Sequence, residues 1–291
     1  MLHKPVLIKE VLRYLDPKPN ENFVDCTVGQ GGHAKLILEK TNPDGKVLAI
    51  DWDEGQIENS KSVLAQFGQR IIFENNSYAN LNEILKRLQF KKISGILLDL
   101  GYSSWQMEQA GKGFSFLSDE PLDMRYSHQN NLTAKKIIND YSVYELEKII
   151  REFSQERFAR QIAREIESHR IKKPIETTQE LKSIIEKVVY QKGKISPATR
   201  TFQALRIAVN GELENLKSFL PQAIENLESK ARLAVISFHS LEDKIVKDFF
   251  RQKEKEGMVK ILTKKPIEAE SEELAQNPRA RSAKLRVIIK N

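Results

Sequence analysis

Cysteine is almost absent from this sequence, since Cys26 is the single cysteine among 291 residues. One thiol excludes an intramolecular disulfide and a cysteine-based zinc site, and it fits a reducing compartment. Long apolar runs are also missing, because no stretch approaches the roughly 18 residues of a membrane-spanning helix. The first five residues lack the pattern of a secretory signal peptide. These absences predict a cytoplasmic protein.

Several catalytic and metal-binding patterns are missing as well. The five histidines never fall at the spacing of metal ligands, so the sequence predicts no metal site. There is no G-x-x-x-x-G-K-[ST] phosphate-binding loop and no G-x-S-x-G nucleophile elbow. The sequence therefore does not support a metalloenzyme, a P-loop nucleotidase or a serine hydrolase.

Positive charge is in excess, with a net charge of +7. Between residues 170 and 206 there are nine Lys or Arg against three Glu, and residues 277–291 add five Lys or Arg with no acid. Two basic segments of this kind indicate a nucleic-acid partner, and a solvated basic surface is the alternative. The candidates for binding nucleic acid are Lys192, Lys194, Arg200, Arg206, Arg279 and Arg281.

A glycine-rich turn near the start of the chain is the most informative motif. Gly29, Gly31 and Gly32 follow an apolar segment and precede a helical one, and Asp51 ends the next apolar segment. Glycines let the backbone approach a ligand closely, and a carboxylate at the end of the second strand can accept hydrogen bonds from both ribose hydroxyls. The pattern predicts a nucleoside-cofactor site, and an ordinary glycine-rich connection is the alternative.

Hydrophobic patterning predicts an α/β fold with a parallel sheet. Helical stretches near 33–40, 54–66 and 79–88 alternate with the first strands, and a longer helical region from about 108 to 210 interrupts this alternation. We therefore predict a discontinuous domain, 1–107 with 211–291, and an inserted helical substrate-recognition domain, 108–210. The predicted strands are 22–27, 46–51, 70–74, 94–99, 231–237, 258–263 and 284–289.

Polar residues follow the later strands. Asp99 ends an apolar strand and is expected at the same rim as Gly31 and Asp51. His239 ends another strand, and the sequence predicts that Ser240 then caps a helix with Asp243 three residues on. Residues 113–125 are rich in glycine, proline and aromatics, which fits either a loop folded over a ligand or a packed connection.

Seven motifs in chain order resemble the RsmH/MraW family, and the resemblance runs from about residue 3 to residue 286. They are DCTVGQGGH (25–33), LLDLG (97–101), GFSF (113–116), PLDMR (121–125), PATRTFQALR (197–206), ISFHSLED (236–243) and NPRARS (277–282). The family's enzymes transfer a methyl group from S-adenosylmethionine to the exocyclic N4 of a cytidine in the decoding region of 16S ribosomal RNA. The resemblance implies a class I, Rossmann-like methyltransferase sheet with an inserted helical domain.

The resemblance also implies residue roles. The substrate would be 16S ribosomal RNA within the small ribosomal subunit or its precursor. The chemistry of the reaction, apart from the resemblance, nominates Asp123 and His239, with Asp99, as candidates for a hydrogen-bond acceptor on the attacking amine. The cofactor-binding residues would be Gly31, Gly32, His33, Asp51, Tyr78, Asp99 and Gln106.

Two other functions remain open at the level of sequence. An NAD-dependent oxidoreductase would share the glycine turn and Asp51. A non-catalytic RNA-binding ribosome assembly factor could keep the fold without the activity.

Overall fold

The computed structural model describes residues 5–101, 111–190 and 196–291. The chain divides into two compact units, which we call the sheet unit (Met1–Gly101 with Leu213–Asn291) and the helical unit (Tyr102–Glu212). The domain bounds predicted from sequence, 1–107 with 211–291 and 108–210, stay a prediction.

The sheet unit contains a seven-stranded sheet in the order β3-β2-β1-β4-β5-β7-β6. Strands β1 to β5 are parallel, and β7 runs antiparallel to both β5 and β6. The predicted α/β fold is confirmed, and each of the seven predicted strands is present. The strands are β1 (Asn22–Asp25), β2 (Val47–Asp51), β3 (Ile71–Asn75), β4 (Ile93–Asp99), β5 (Leu227–Ser237), β6 (Val259–Ile261) and β7 (Lys284–Lys290).

Helices join the strands of the sheet unit and make up most of the helical unit. In chain order, the described helices are α1 (Ile8–Leu15), α2 (Gly32–Lys40), α3 (Glu54–Leu64), α4 (Leu81–Leu88), α5 (Ala134–Asp140), α6 (Val143–Ser154), α7 (Ala159–Arg170), α8 (Thr178–Val188), α9 (Ala198–Asn210), α10 (Glu212–Asn226), α11 (Ser240–Lys255) and α12 (Ser271–Gln276). Short 3-10 helices lie at Ala65–Arg70, Tyr78–Asn80 and Pro278–Ser282. None of the helices described is long and apolar enough to cross a membrane.

Both faces of the sheet are buried, which explains why its strands are apolar at nearly every position. Val24 and Leu48 lie in the core on one face. Their neighbours Phe23 and Ala49 lie in the core on the other face. Because side chains alternate across a strand, each parallel strand feeds both cores, and only its carboxyl-terminal residue is left at the sheet edge.

The helical unit has a separate core, as the predicted three- and four-residue spacing requires. Leu146 and Ile150 of α6 are fully buried, as are Ile162 and Ile166 of α7. Capping boxes begin two of the helices: the Ser142 side chain caps α6 together with Glu145, and the Thr177 side chain caps α8 together with Glu180. Each box satisfies backbone N–H groups that a helix start leaves unpaired.

Candidate active site

The strand order reverses at β1, which lies between β2 and β4. In an open α/β sheet a ligand binds at such a reversal, beside the carboxyl ends of the strands. The glycine turn occupies this position, between the end of β1 and the start of α2. The N–H of Val28 donates to the carbonyl of Ile50 at 2.9 Å, and the N–H of Gly31 donates to that of Val28 at 2.7 Å. These bonds fix the turn against β2.

Glycine is favoured at the three positions of the turn for different structural reasons. Gly29 and Gly31 have φ of +52° and +82°, which favours glycine. A Cβ on Gly32 would lie 2.1 Å from the Pro5 ring, so close packing requires this glycine. A Cβ on Gly29 would meet only a backbone oxygen of Thr27 at 3.9 Å, so the space beside this residue is open to a ligand.

Asp51, at the end of β2, is held by the turn itself. Its Oδ2 accepts from the N–H of Gly29 at 2.9 Å, and its Oδ1 accepts from the N–H of Asp53 at 2.9 Å. These two bonds reach both carboxylate oxygens. The Asp51 carboxylate is therefore held in a fixed orientation beside the glycine turn, where the strand order reverses.

Tyr78 follows β3 at the same edge of the sheet. The N–H of Asn76 donates to the backbone oxygen of Asp51 at 3.0 Å, which ties the end of β3 to the end of β2. The Tyr78 ring meets Phe219 edge to face, with 5.4 Å between the ring centroids. The contact with Phe219 supports one edge of the Tyr78 ring, which lies two residues after Asn76.

Asp25, the last residue of β1, lies at the same edge of the sheet, and the sequence motifs did not single it out. It is 1% exposed, and its Oδ1 accepts from the N–H of Thr27 at 3.2 Å. Within the described parts of the chain its buried Oδ2 has no hydrogen-bond partner. Burial raises the pKa of Asp25 from its ordinary 3.8 to about 7, while the N–H groups of Thr27 and Ala34 oppose the rise and the charge of Asp51 adds to it. An aspartate that ends a buried strand next to a glycine turn is the signal that could have found it.

Asp99 ends β4, the strand beside β1. Its backbone N–H donates to the Thr27 hydroxyl at 2.7 Å, and its Oδ2 lies 3.7 Å from Nε2 of His33, in the first turn of α2. Its Oδ1 is buried and has no hydrogen-bond partner among the described residues. Burial raises the pKa of Asp99 well above its usual range, and the charges of Asp25 and Glu242 add to this effect. Asp25, Asp51, Asp99 and His33 therefore meet at the carboxyl edge of three adjacent strands.

His239 has a structural role at the start of α11. Its Nδ1 accepts from the N–H of Glu242 at 3.3 Å, and Glu242 Oε2 accepts from the N–H groups of Phe238 and His239 at 2.8 and 3.3 Å. The predicted cap of Ser240 with Asp243 is therefore wrong, because the imidazole serves as the cap one residue earlier.

Asp243 binds Arg286 of β7 instead, with Nε–Oδ1 and Nη2–Oδ2 distances of 2.6 and 3.1 Å. An acceptor Nδ1 also places the proton of a neutral His239 ring on Nε2. That nitrogen lies 3.2 Å from Glu242 Oε1. In this tautomer neither ring nitrogen is ready to take a proton from a substrate.

Asp123 lies in the helical unit and is tied to Arg125. Both of its carboxylate oxygens accept from the guanidinium at 2.8 Å, and Oδ1 also accepts from the Arg125 N–H at 3.0 Å. Burial acts to raise the pKa of Asp123, but these hydrogen bonds and the charge of Arg125 outweigh it, so the pKa lies below its ordinary value. Asp123 is therefore a hydrogen-bond acceptor and a weak base.

The loop around Asp123 is packed within the helical unit. Phe114 stacks on Tyr126 at 5.5 Å between centroids, and Phe116 meets Phe202 edge to face at 4.8 Å. Of the two interpretations of residues 113–125, the packed connection matches these contacts.

The predicted RNA-binding residues fall into different settings. The predicted RNA-binding role of Arg206 is wrong. Its guanidinium is buried and donates to both carboxylate oxygens of Glu212 at 2.7 and 2.8 Å. Its charge is satisfied inside the helical unit and does not face a polyanion. Arg200 is 59% exposed and lies 3.6 Å from Glu156. Gln106, Lys192 and Lys194 lie outside the described residues.

Arg279 and Arg281 lie on the 3-10 helix Pro278–Ser282, and both are exposed. Between them Ala280 is buried in the core of the sheet unit. This segment leads directly into β7, whose first residue, Lys284, pairs with Ser237 at the end of β5. Because β7 is antiparallel, the two arginines lie at the carboxyl edge of the sheet, the same edge as the glycine turn.

Similarity to known proteins shows the family of this chain. The model of the MraW methylase family matches residues 1–291. The chain belongs to the MraW methylase family.

Three bacterial proteins are similar to this chain over nearly its whole length. It is 47% identical over 304 residues to the ribosomal RNA small subunit methyltransferase H of Caldicellulosiruptor saccharolyticus, covering 99% of both chains. It is 45% identical over 304 residues to the protein of the same name from Syntrophotalea carbinolica, covering 98% of this chain and 97% of that one. The relative of this name from Clostridium botulinum strain Kyoto is 43% identical over 305 residues, covering 99% of this chain and 98% of that one.

Proposed function

We propose that this protein is an S-adenosylmethionine-dependent methyltransferase that modifies the exocyclic N4 of a cytidine in small-subunit ribosomal RNA. The observation that carries the proposal is the acidic, glycine-lined edge at the strand reversal, found in a chain of the MraW methylase family. The family membership favours this activity over an NAD-dependent oxidoreductase, which would share the glycine turn.

The residues at this edge fit the cofactor. S-Adenosylmethionine supplies an electrophilic methyl group on a positively charged sulfonium. Asp25 and Asp99 each have one buried carboxyl oxygen with no hydrogen-bond partner among the described residues, and these oxygens suit a cationic ligand. Asp51 is oriented to accept from the ribose hydroxyls, and the open space beside Gly29 admits the ligand's chain.

The other predicted cofactor residues are part of this proposal. Gly31, Gly32 and His33 would line the methionine side, Tyr78 would lie near the adenine, and Gln106 would complete the pocket. His33 is the best placed of them for an electrostatic role, since its Nε2 already lies 3.7 Å from Asp99. Gly32 has in addition the packing requirement imposed by Pro5.

The reaction requires an aligned amine more than a strong base. The lone pair of a cytidine N4 is delocalised into the ring, and positive charge develops on that nitrogen as it attacks. A fixed acceptor for one of its N–H groups would stabilise this charge. We propose Asp123 for this role, because Arg125 orients its carboxylate and keeps it ionised at neutral pH. His239 stays the second candidate, although its ring is engaged in a helix cap.

The proposed RNA contacts rest on exposure and position. Arg279 and Arg281 lie at the carboxyl edge of the sheet, where phosphate binding would hold RNA beside the cofactor. Arg200, Lys192 and Lys194 would add contacts from the helical unit. We propose the small ribosomal subunit or its precursor in the cytoplasm as the setting.

The decisive experiment combines methyl transfer with mapping. Purified protein is incubated with labelled S-adenosylmethionine and with small subunits or free 16S RNA from cells that lack the enzyme, and the product is mapped by mass spectrometry. We expect one methylated cytidine in the decoding region. Binding of the RNA with no transfer to any substrate would support the non-catalytic assembly factor instead.

Charge reversal tests the RNA face. We expect Arg279→Glu with Arg281→Glu to weaken RNA binding and to flatten its salt dependence, since fewer counterions are released. The matched control reverses Lys86 and Lys91, which are exposed near the start of β4 and hence at the opposite edge of the sheet. An unchanged salt slope in the arginine variant, equal to that of the control, would remove the arginines from the interface.

A further inference from the structure

Asp25 and Asp99 are neighbours across the β1–β4 pair. Asp25 is in register with Leu97, two residues before Asp99. Asp99 in turn donates its N–H to the hydroxyl of Thr27, two residues after Asp25. The two carboxyl groups raise each other's free energy when both are charged, and each has one buried oxygen that no described donor reaches. Because Asp25 is 1% exposed and the Asp99 side chain 19% exposed, ionising both carboxyl groups together is costly.

The groups around the pair do not remove this cost. Asp51 on β2 adds negative charge beside Asp25, and Glu242 on α11 adds negative charge beside Asp99. His33 on α2 is the titratable nitrogen near the pair, with Nε2 3.7 Å from Asp99 Oδ2. His239, which caps α11, has its Nε2 3.2 Å from Glu242 Oε1. The pair therefore faces acids from two elements and an imidazole from a third.

We propose that Asp25 and Asp99 hold a proton between them in the ligand-free protein and release it to solvent when a cationic ligand binds. The inference rests on the proposed function, because the ligand in question is S-adenosylmethionine. Its sulfonium gives it one more positive charge than the product S-adenosylhomocysteine, a neutral thioether at that position. A positive charge placed beside the pair stabilises the fully ionised form and drives the proton off, whereas the thioether does not.

A specificity follows from this linkage. Proton release makes binding of the methyl donor stronger as the pH rises, whereas binding of the product changes little. The carboxyl pair thereby selects the donor over the spent product at neutral and higher pH. Raised affinity for the donor relative to the product would reduce product inhibition during repeated transfer.

The test measures the number of protons released on binding and the binding affinity, and it does not depend on methyltransferase activity. Isothermal titration near pH 7, in buffers of different ionisation enthalpy, gives the number of protons released on binding. We expect a substantial fraction of one proton for S-adenosylmethionine and clearly less for S-adenosylhomocysteine. Between pH 6 and 8 the donor's Kd should fall severalfold, within the limit of about tenfold per pH unit for one linked proton, while the product's Kd stays nearly constant.

Variants assign the proton to the pair. Asp25→Asn should release clearly less of a proton than wild type on binding the donor, with a shallower pH profile, because only Asp99 of the pair can then titrate and it no longer has the Asp25 charge beside it. Asp44→Asn is the control, because Asp44 is exposed and precedes β2 at the opposite edge of the sheet, and it should behave as wild type. The wild-type comparison of donor with product needs no variant, so the test survives if Asp25→Asn fails to fold.

The outcomes separate this inference from the proposed function. Normal donor binding with no proton release, or with equal release for donor and product, would overturn the inference and leave the methyltransferase intact. Proton release in folded Asp25→Asn as large as in wild type would also overturn it, since Asp25 would then take no part in holding the proton. Failure of S-adenosylmethionine to bind at any pH would refute the proposed function itself.

Discussion

Replacing Asp25 with Asn should change how the stability of the sheet unit depends on pH. Burial raises the pKa of Asp25 from 3.8 to about 7, so between these values the folded protein keeps a proton that the unfolded chain has released. Stability contributed by this group is therefore lost as the pH rises from about 4 to about 7. At about 1.4 kcal/mol per pH unit, the full loss is about 4 kcal/mol, of which about 3 kcal/mol falls between pH 5 and pH 8.

An asparagine at this position cannot titrate and stays neutral throughout. Its Nδ2 would take the place of an oxygen that has no described partner, which costs about 1 to 3 kcal/mol at every pH. Because that cost is independent of pH, the quantity to compare is the slope. Relative to wild type, Asp25→Asn should gain about 3 kcal/mol in the free energy of unfolding between pH 5 and pH 8.

Urea unfolding at constant ionic strength measures this difference. The chain has two tryptophans, and in a Trp105→Phe background the fluorescence reports Trp52, next to Asp51 in the sheet unit. Asp44→Asn, an exposed control, should follow the wild-type curve. Parallel curves for wild type and Asp25→Asn from pH 5 to pH 8 would refute the argument, because Asp25 would then titrate as it does in the unfolded chain.

Substitutions at four further residues test the roles assigned to them. Asp51→Ala should weaken S-adenosylmethionine binding by about 1 to 3 kcal/mol through lost hydrogen bonds to a charged acceptor, and unchanged affinity by calorimetry in a folded variant would remove Asp51 from the pocket. Asp123→Ala should slow single-turnover methyl transfer at saturating cofactor and RNA while both affinities persist; a normal rate would show that another group accepts from the amine. His239→Ala should lower stability by about 1 kcal/mol in thermal melts, and His239→Asn, which keeps a capping side chain, should restore it. If transfer stays slow in the asparagine variant, the imidazole has a chemical role beyond the cap. Arg206→Ala should destabilise the helical unit by about 3 to 5 kcal/mol because Glu212 is left buried and uncompensated, and a loss of RNA affinity without a loss of stability would contradict that assignment.

The sheet could be predicted from sequence because each of its strands is marked by the same physical requirement. A strand buried on both faces must be apolar along its length, and it must become polar where it reaches the edge. Residues 94–99 and 231–237 show this change at Asp99 and at Ser237, and the structure begins β4 and β5 one and four residues earlier. The extra residues of β5 start at Leu227 and include exposed positions, which removes the apolar signal.

Whether each charged side chain is buried or exposed could not be predicted in the same way. Arg206 and Arg281 have the same side chain in basic segments, yet one is buried against Glu212 and the other is exposed. The difference depends on a partner six residues away on the following helix, which composition does not reveal. The cap at α11 is similar, because only the backbone geometry shows that His239, and not Ser240, accepts from the N–H three residues on.

The proximity of Asp25 and Asp99 shows why the chemistry of the site could not be predicted from sequence motifs alone. Each aspartate alone matches an ordinary strand end, and the two are 74 positions apart in the sequence. The parallel β1–β4 register brings them to the same part of the sheet edge, where Asp25 is buried and the Asp99 side chain is 19% exposed. A charged carboxylate in that position is stabilised by a cation, and the sheet itself provides none there among the described residues. A positively charged ligand at the strand reversal would therefore stabilise the ionised carboxylates, and a sulfonium is one such ligand.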